Sequence, residues 1–351
     1  MEAIAVSQTQ TLMIRSLKRR YLVFALLLLA TLIMMAMNIS IGSISYPLDR
    51  VWATLANPGL DSDLGFIIWK IRLPRALAAA MGGAFLAASG LLLQVYFRNP
   101  IVGPFILGIS SGATVMVSLF MLTVAGMQMA FAIPFLTTLA GCVGAYAVMV
   151  LVVALASKVK GGGASLLIIG LMMGYLCGAV TAILTALAEK ERIKGFVLWQ
   201  LGSFSGFKWV EIWIMAAFGG ALLLAIYLLS KPLNAFLLGE DYAASMGVNI
   251  RRFRLFIMLA ASSLAGLVTA MAGPVAFIGL AVPHMARLSF GTSDNRILVP
   301  GAALMGALVT SMCDLIARMW ISPVELPLSA ITSFFGAPIV IALLLKRGVR
   351  T

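Results

Sequence analysis

The chain has 351 residues, of which 62% are hydrophobic and 11% charged, and its formal net charge is +13. The apolar residues come in runs of about 20, the length that crosses a bilayer as a helix, which predicts a multi-pass membrane protein rather than a soluble one. Three isolated cysteines, a single histidine (His284) and the lack of a phosphate loop or nucleophile elbow argue against metal, redox or enzymatic chemistry in this chain.

The N-terminal segment is polar and basic. Residues 1–20 end in the basic side chains Arg15, Lys18, Arg19 and Arg20, directly before an apolar run. A secretory signal peptide is the alternative, but the run is long and no small-residue cleavage site follows it. We therefore predict a cytoplasmic tail over residues 1–20 and an uncleaved first span.

Ten spans are predicted in all. They lie at residues 21–40, 74–96, 104–125, 130–157, 164–187, 209–230, 254–272, 275–291, 297–319 and 328–346. Most of the 25 lysines and arginines then fall on the side of the N-terminus, so the positive-inside rule places both termini in the cytoplasm. The positive charge is interpreted as membrane-surface charge and not as a nucleic-acid patch.

The chain contains a candidate internal repeat. A shift of 183 residues aligns Gly83 with Gly266, Gly90 with Gly273, Pro100 with Pro283, and Gly108 with Gly291. The first copy begins outside and the second inside, so the copies are expected to be inverted, as in many transporters. The alternative is chance alignment in a glycine-rich chain.

Two features of the spans bear on function. Gly170, Gly174, Gly178, Ala182 and Ala186 recur at a spacing of four, which leaves one helix face of the fifth span nearly bare. Such a face allows close packing or leaves room for a solute, and periodicity alone favours packing. Backbone breaks beside spans are hinge or gate candidates, with ordinary turns as the alternative. They are Arg98-Asn99-Pro100, Gly103-Pro104, Gly161-Gly162-Gly163, Gly273-Pro274 and Pro283-His284.

Three arginines, Arg72, Arg75 and Arg318, lie on the outer side, where the positive-inside rule disfavours them. Arg318 follows Asp314 by four residues and can pair with it along the helix. Arg72 and Arg75 have no obvious local partner. We therefore expect them to be exposed, and either to bind carboxylates of another protein or to snorkel to lipid headgroups.

A polar segment at 232–254 interrupts the apolar sequence. The acidic pair Glu240-Asp241 suits the start of a short helix, Gly247 suits a left-handed cap at its end, and Asn249 suits the cap of the next helix. We predict a short extramembrane helix followed by a basic anchor at 251–254. The segment is either a handle for another protein or a solvated loop.

Several motifs in order along the chain identify a family. They are Arg72-Leu73-Pro74-Arg75, Phe97-Arg98-Asn99-Pro100, Ile106 to Gly112, Trp199 to Ser203, Leu238-Gly239-Glu240, Met246-Gly247-Val248, Gly273 to Leu280, Pro283 to Arg287, Glu325-Leu326-Pro327 and Gly336-Ala337-Pro338. Together they resemble the permeases of iron-chelate and vitamin B12 ABC importers, the FecCD family of type II importers. The resemblance covers about residues 65–345.

The resemblance implies an all-α fold of ten transmembrane helices with an inverted repeat, forming one permease domain over residues 21–347. It implies a homodimer with the pathway on its twofold axis, two ABC ATPase subunits that hold ATP and Mg²⁺, and an extracytoplasmic substrate-binding protein. The chain itself is expected to bind no cofactor, metal or nucleic acid, to catalyse no reaction, and to sit in the cytoplasmic (inner) membrane.

Residue roles follow from the resemblance by position. The ATPase-coupling residues are Gly239, Glu240, Asp241, Ala244, Met246 and Gly247. Arg72, Arg75 and Arg318 correspond to arginines that meet glutamates of the binding protein. The gate and pathway residues are Asn99, Ile101, Gly163, Ala164, Gly170, Gly174 and Gly178. Gly163-Ala164 stand where some members carry small hydroxyl residues, so a hydroxyl role at the inner gate is not expected here.

The leading prediction is the permease subunit of an importer for a metal chelate, either a ferric siderophore or haem. The bare face of the fifth span fits a bulky substrate, and the lack of a metal-ligand cluster fits a metal that arrives chelated. Cobalamin is the alternative substrate, followed by an oxyanion. The rival classes are an ion-coupled secondary transporter, for which Asp314 is the candidate intramembrane acid, and a non-transporting scaffold.

Overall fold

The computed structural model describes residues 2–42, 44, 46–57, 62–123, 133–159, 162–322 and 324–348, with the backbone alone at 2–16, 62, 133–134, 162–164 and 343–348. Its helices are α1 (Glu2–Ser40), α2 (Leu48–Ala56), α3 (Ser62–Phe66), α4 (Leu73–Tyr96), α5 (Ile109–Leu122), α6 (Ile133–Ala156), α7 (Gly162–Leu187), α8 (Lys190–Gln200), α9 (Trp209–Ile214), α10 (Gly220–Leu228), α11 (Ser230–Leu238), α12 (Glu240–Ser245), α13 (Ile250–Ala272), α14 (Ile278–Phe290), α15 (Asn295–Met319) and α16 (Leu328–Gly348). Wider π turns at Ile67–Arg72 and Met215–Gly219 lead directly into α4 and α10.

Each of the ten predicted spans contains a helix, but these helices differ in length. Within the described residues, seven segments are long and apolar enough to cross a membrane. They are Leu17–Ser40, Asp63–Tyr96, Phe135–Ala156, Ser165–Leu187, Trp209–Leu228, Ile250–Ala272 and Asn295–Met319. Helices α5 and α14 are shorter, and the side chains of α16 are described only over Leu328–Ala342, so the count of ten spans stays a prediction. The chain is a multi-pass, all-helical membrane protein.

Two of the short helices begin later than apolar composition predicts. Helix α5 is expected from residue 104 but begins at Ile109, because the preceding residues form turns that end at Gly108 with φ 71°. Helix α14 is expected from residue 275 but begins at Ile278, after Phe277 with φ 63°. Hydropathy reports apolar side chains and contains no information on such left-handed backbone conformations.

The centre of the molecule consists of α4 and α13, which are mostly buried, and each crosses a helix from the other half of the chain. Helix α4 packs on α15, where a Cβ on Gly83 would stand 2.1 Å from the carbonyl oxygen of Gly306. Helix α13 packs on α6, where a Cβ on Gly266 would stand 2.8 Å from the carbonyl oxygen of Gly141. Backbone contact at glycines is a common way for membrane helices to associate.

The two ends of the bundle differ in charge. One end, called the basic end below, carries Arg19, Arg98, Lys231, Arg254, Arg287 and Arg296. Contacts link these residues through α11, α12, α14 and the start of α15. The opposite end carries the three arginines that the sequence places outside. Charge sorting between the two ends is what the positive-inside rule produces.

Candidate functional site

A cleft with a volume of about 970 Å³ lies between α5, α7 and the start of α16. Small and hydroxyl-bearing residues form most of its walls, together with larger residues such as Phe105, Gln200 and Leu201, and none of the described lining side chains is charged. The hydroxyls belong to Ser110, Ser111, Thr114, Thr181, Thr185, Ser329 and Ser333. The cleft can therefore hydrogen-bond a bulky solute at several points, while its described residues supply no histidine, cysteine or carboxylate to a bare metal ion.

The glycine face of α7 is divided between packing and lining. Gly170 and Gly174 pack against the 106–111 segment, where a Cβ on Gly170 would stand 2.8 Å from backbone. A Cβ on Gly178 would meet nothing within 4 Å. Gly178 lines the cleft, and so do the two alanines that continue the face. The face therefore packs closely at one part of the helix and borders open space at the other, and a passing solute there stays a prediction. Gly163-Ala164 lie in the first turn of α7, where the structure describes the backbone only.

Asn99 and Ile101 lie in a tight turn after α4, at the basic end. The amide of Asn99 donates to the carbonyl of Gln94 (3.2 Å), and Asn99 Oδ1 accepts from the amide of Ile101 (3.0 Å). Arg98, the residue before Asn99, adopts a left-handed φ of 47°. The side chain of Gln94 ties the turn to α14, donating to a carbonyl there (3.1 Å) and accepting from Arg287 (2.6 Å).

A hollow of about 700 Å³ joins this turn to the 232–254 segment. Arg98 lines it from the turn, and Glu240, Asp241 and Arg254 line it from the segment. The guanidinium of Arg98 also stands over the ring of Phe236 in α11, 5.9 Å from its centroid. Arg98 directly precedes Asn99, so the hollow lies beside the turn of the gate candidates and is bordered by the predicted partner contact, although neither Asn99 nor Ile101 is among its described lining residues.

The short helix predicted within 232–254 is present as α12, and its local predictions are confirmed. Gly247 has φ 83°, and the amides of Gly247 and Val248 donate to the carbonyls of Ala244 and Ala243, which is the Schellman end of a helix. Asn249 caps α13 by accepting from the amide of Arg252 (3.1 Å).

The exposed side of α12 carries two large apolar side chains beside Asp241 and Ser245. Tyr242 and Met246, four residues apart, are both exposed, whereas Ala243 is buried against the body. Arg254 of the predicted basic anchor forms an ion pair with Glu240, which holds α12 against α13. An exposed aromatic and methionine outside the predicted spans are the residue types that protein interfaces favour.

The expectation that Arg72 and Arg75 are exposed and unpaired is wrong. Arg72 is 5% exposed and donates to the carbonyls of Ile39 (3.0 Å), Ser40 (2.8 Å) and Ile44 (2.6 Å). These carbonyls follow α1 or end it, and such groups have no intrahelical donor. Arg72 therefore fastens the end of α1 to the start of α4.

Arg75 is the centre of an ion-pair network. It donates three hydrogen bonds to Asp314, which is 1% exposed, and two to Glu325, which is 34% exposed. Ser203 donates to Glu325 as well (2.8 Å). Partial burial alone would raise the pKa of Glu325, but the bonds and charge of Arg75 and the Ser203 bond outweigh it and lower that pKa below its usual value.

Arg318 contacts α1 instead of forming the expected pair with Asp314. Its guanidinium donates to the carbonyl (2.6 Å) and the side-chain oxygen (3.0 Å) of Asn38, and Asn38 donates to the carbonyl of Ser311 (3.1 Å). Sequence reasoning did not identify Asn38, and it included Ser203 and Glu325 only within motifs. Asn38 is 280 residues from Arg318 and Glu325 is 250 residues from Arg75, so no local spacing could indicate these partners.

Comparisons with known proteins give one consistent result. A family model described as the FecCD transport family matches residues 27–346. The hemin transport system permease HmuU of Yersinia pestis is 34% identical over 335 residues, 94% of this chain and 96% of that protein. The vitamin B12 import system permease BtuC of Salmonella typhi is 35% identical over 279 residues, 80% of this chain and 83% of that protein. A solved structure described as an inward-facing metal-chelate type ABC transporter superimposes with a TM-score of 0.77 at 28% identity, covering 93% of this chain and 99% of that one.

Proposed function

The chain belongs to the FecCD transport family, and from this membership we propose that it is the membrane-spanning permease subunit of an ATP-driven importer for a metal chelate, either a ferric siderophore or haem. The observation that carries the proposal is the cleft of about 970 Å³, which is large, rich in hydroxyls and uncharged over its described lining. It falls within the usual size range of small-molecule sites, roughly 300–1,000 Å³. A chelate brings its own ligands to the metal, so an uncharged wall suits it.

Cobalamin is the alternative substrate, and the vitamin B12 permease among the relatives supports it. Cobalamin is also a bulky chelate, so the same cleft suits it. A hydroxyl-lined wall favours both of these over a small oxyanion, which would be expected to require positive charge. In either case selectivity resides largely in the binding protein that delivers the substrate.

The proposed assembly contains two copies of this chain, with ten spans each and an inverted repeat. The crossings of α4 with α15 and of α13 with α6 support the repeat, because Gly83 and Gly266, which the shift of 183 residues aligns, each lie at one of the two crossings. Many exposed apolar residues of α7 are then available to lipid or to the second copy. The basic end and both termini lie on the cytoplasmic side of the inner membrane.

In the proposed importer, ATP is hydrolysed by subunits other than this chain. Two ATPase subunits bind ATP and Mg²⁺, and they contact α12 through its exposed Tyr242 and Met246. Movement of α12 reaches the turn at Asn99 through the hollow that Arg98 and Glu240 share. In this scheme the chain gates and conducts, and it performs no catalysis.

A substrate-binding protein docks at the opposite end in this proposal, but the arginines there are already engaged. Arg72 and Arg318 are bound to carbonyl groups of the chain itself. At Arg75 an incoming carboxylate exchanges with Glu325, which is the more exposed of its two acidic partners. Docking at Arg75 therefore involves an exchange of ion pairs.

An ion-coupled secondary transporter is less well supported. Its candidate acid, Asp314, is buried, bonded to Arg75 and absent from the described lining of the cleft. A coupling acid has to exchange ions or protons with the pathway, which this position does not allow. The intramembrane acid is explained instead as the partner of a buried arginine.

Reconstitution tests the proposal. The chain is placed in proteoliposomes with its ATPase and its binding protein, and uptake of haem, a ferric siderophore and cobalamin is measured with and without ATP. We expect ATP-dependent uptake of one chelate, and uptake without ATP would refute an ATP-driven importer. Gly178→Trp, which fills the cleft from an open position, should abolish uptake, whereas Gly195→Trp on α8, also in open space, should not.

A further inference from the structure

An apolar groove with a volume of about 710 Å³ runs along the outside of the bundle, between α1, α4, α10 and α15. One face of each of three helices lines it, through Ala80 and Ala84, Gly220 and Leu224, and Ala303 and Ala307. A Cβ on Gly220 would meet nothing within 4 Å, so the groove is open at that wall. It is separate from the cleft and from the hollow of the proposed pathway.

All four walls of the groove belong to segments that are long and apolar enough to cross a membrane. The groove therefore lies at the depth of the hydrocarbon core. The hydroxyl of Tyr227 is the only hydrogen-bonding side-chain group among its described lining residues. Water gains nothing in such a space, while an acyl chain fills it and recovers the van der Waals contacts that the open wall lacks.

Tyr227 marks one end of the groove, and that end is basic. Lys231, one turn beyond Tyr227 at the start of α11, is exposed. The side chain of Asn234 accepts from the amide of Asn295 (2.8 Å) and so fixes α11 beside the start of α15. Tyrosine at the level of lipid headgroups is a common feature of membrane proteins.

A second cation stands at the same end. Arg296 is exposed and precedes the groove-lining Val299 and Pro300 by three and four residues, so it occupies the same face of α15 one turn nearer the end. The nearby carboxylate of Asp294 caps α15 through the amide of Arg296 (3.0 Å) and accepts from Asn234 (2.6 Å). The rim therefore presents two cations and one acid, and Oδ1 of that acid accepts two hydrogen bonds from the chain itself.

We propose that the groove binds one anionic phospholipid of the surrounding bilayer. An acyl chain lies between α4, α10 and α15, the phosphate group contacts Lys231 and Arg296, and Tyr227 stands at the boundary between them. The lipid joins α10, the less buried part of the bundle, to the core formed by α4 and α15. This site goes beyond the proposed transport function and does not depend on it.

Lipid retention by the assembled complex tests the site. The complex is purified in a non-ionic detergent, and native mass spectrometry measures binding of phosphatidylglycerol and of phosphatidylcholine with the same acyl chains. Wild type should retain one phosphatidylglycerol per chain, roughly 30-fold more tightly than phosphatidylcholine, because two cations act on the headgroup. Gly220→Leu fills the groove and should abolish retention of both lipids, while Gly195→Leu on α8 should change neither.

The headgroup contact has its own variants. The double change Lys231→Gln and Arg296→Gln should remove the preference for phosphatidylglycerol while leaving acyl-chain binding intact. The matched change Lys158→Gln and Arg251→Gln, which removes the same charge from exposed residues outside the groove, should preserve that preference. An equal affinity of wild type for the two lipids would overturn the proposed headgroup site.

A measurement on wild type removes any dependence on how the variants fold. Phosphatidylglycerol with a photoreactive diazirine in its acyl chain should label peptides of α4, α10 and α15. Labelling elsewhere, or undiminished lipid retention by Gly220→Leu, would overturn the site. Separation of the two copies by Gly220→Leu would also overturn it, since the groove would then be a contact between chains. None of these readouts requires transport, so their failure leaves the proposed function untouched.

Discussion

Replacing Arg75 by methionine should be among the most damaging single changes at the end opposite the basic end. The substitution leaves Asp314, which is 1% exposed, without its countercharge and without three hydrogen bonds. Breaking a buried ion pair from one side costs about 3–5 kcal/mol. Glu325→Gln removes the other carboxylate, which is 34% exposed, and should cost about 1 kcal/mol or less.

The paired change Arg75→Met with Asp314→Leu should recover most of the loss, because both charges leave together and the cavity stays filled. Thermal unfolding of wild type, Arg75→Met, Asp314→Leu and the paired variant completes a double-mutant cycle, and Glu325→Gln is measured beside them. The reasoning is refuted if Arg75→Met and Glu325→Gln cost the same, or if the paired change is no better than Arg75→Met alone. The paired variant also allows docking of a binding protein to be measured on a folded chain that lacks Arg75.

Two further substitutions and one change of pH test other contacts. Gly90→Ala should destabilise the chain by more than about 2 kcal/mol, because its Cβ would stand 1.6 Å from the carbonyl oxygen of Gly279 and the two backbones must separate. Gly247→Ala should cost about 1–2 kcal/mol locally, since its φ is 83° and its surroundings are open, and it should reduce retention of the ATPase subunit. The pair formed by Glu325 should weaken below about pH 4.5. The pKa of Glu325 is lowered in the folded chain, so its ionised carboxylate stabilises the fold above that pH, and this stabilisation is lost as the pH falls.

Each of these changes has a control. Gly195→Ala, at an open helical position, should leave the melting temperature equal or higher, and a similar effect of Gly90→Ala would contradict the packing argument. Full retention of the ATPase by Gly247→Ala would remove α12 from the proposed contact. Glu325→Gln should flatten the acid dependence of stability, and an unchanged pH profile would mean that other carboxylates determine it.

The sequence predicts elements whose signal is local. Each apolar run contains a helix, and α12 has the acidic start and the glycine end that its residues predict. The partners of Arg75 could not be predicted in this way, because Asp314 and Glu325 are 239 and 250 residues away. The bare face of α7 shows the same limit, since spacing defines a face but not its neighbour. The motif resemblance identified the family, yet it did not indicate that the outer arginines are bound within the chain.

The reciprocal crossings of the helices have a consequence for biosynthesis. Gly83 and Gly306 meet only after nearly all of the chain has left the ribosome, so α4 waits for its partner on the order of tens of seconds at typical elongation rates. During this interval α4 carries an uncovered glycine face and Arg75 has no Asp314 beside it. A chain truncated before α15 should therefore be inserted but unassembled, and it should remain a substrate for membrane proteases.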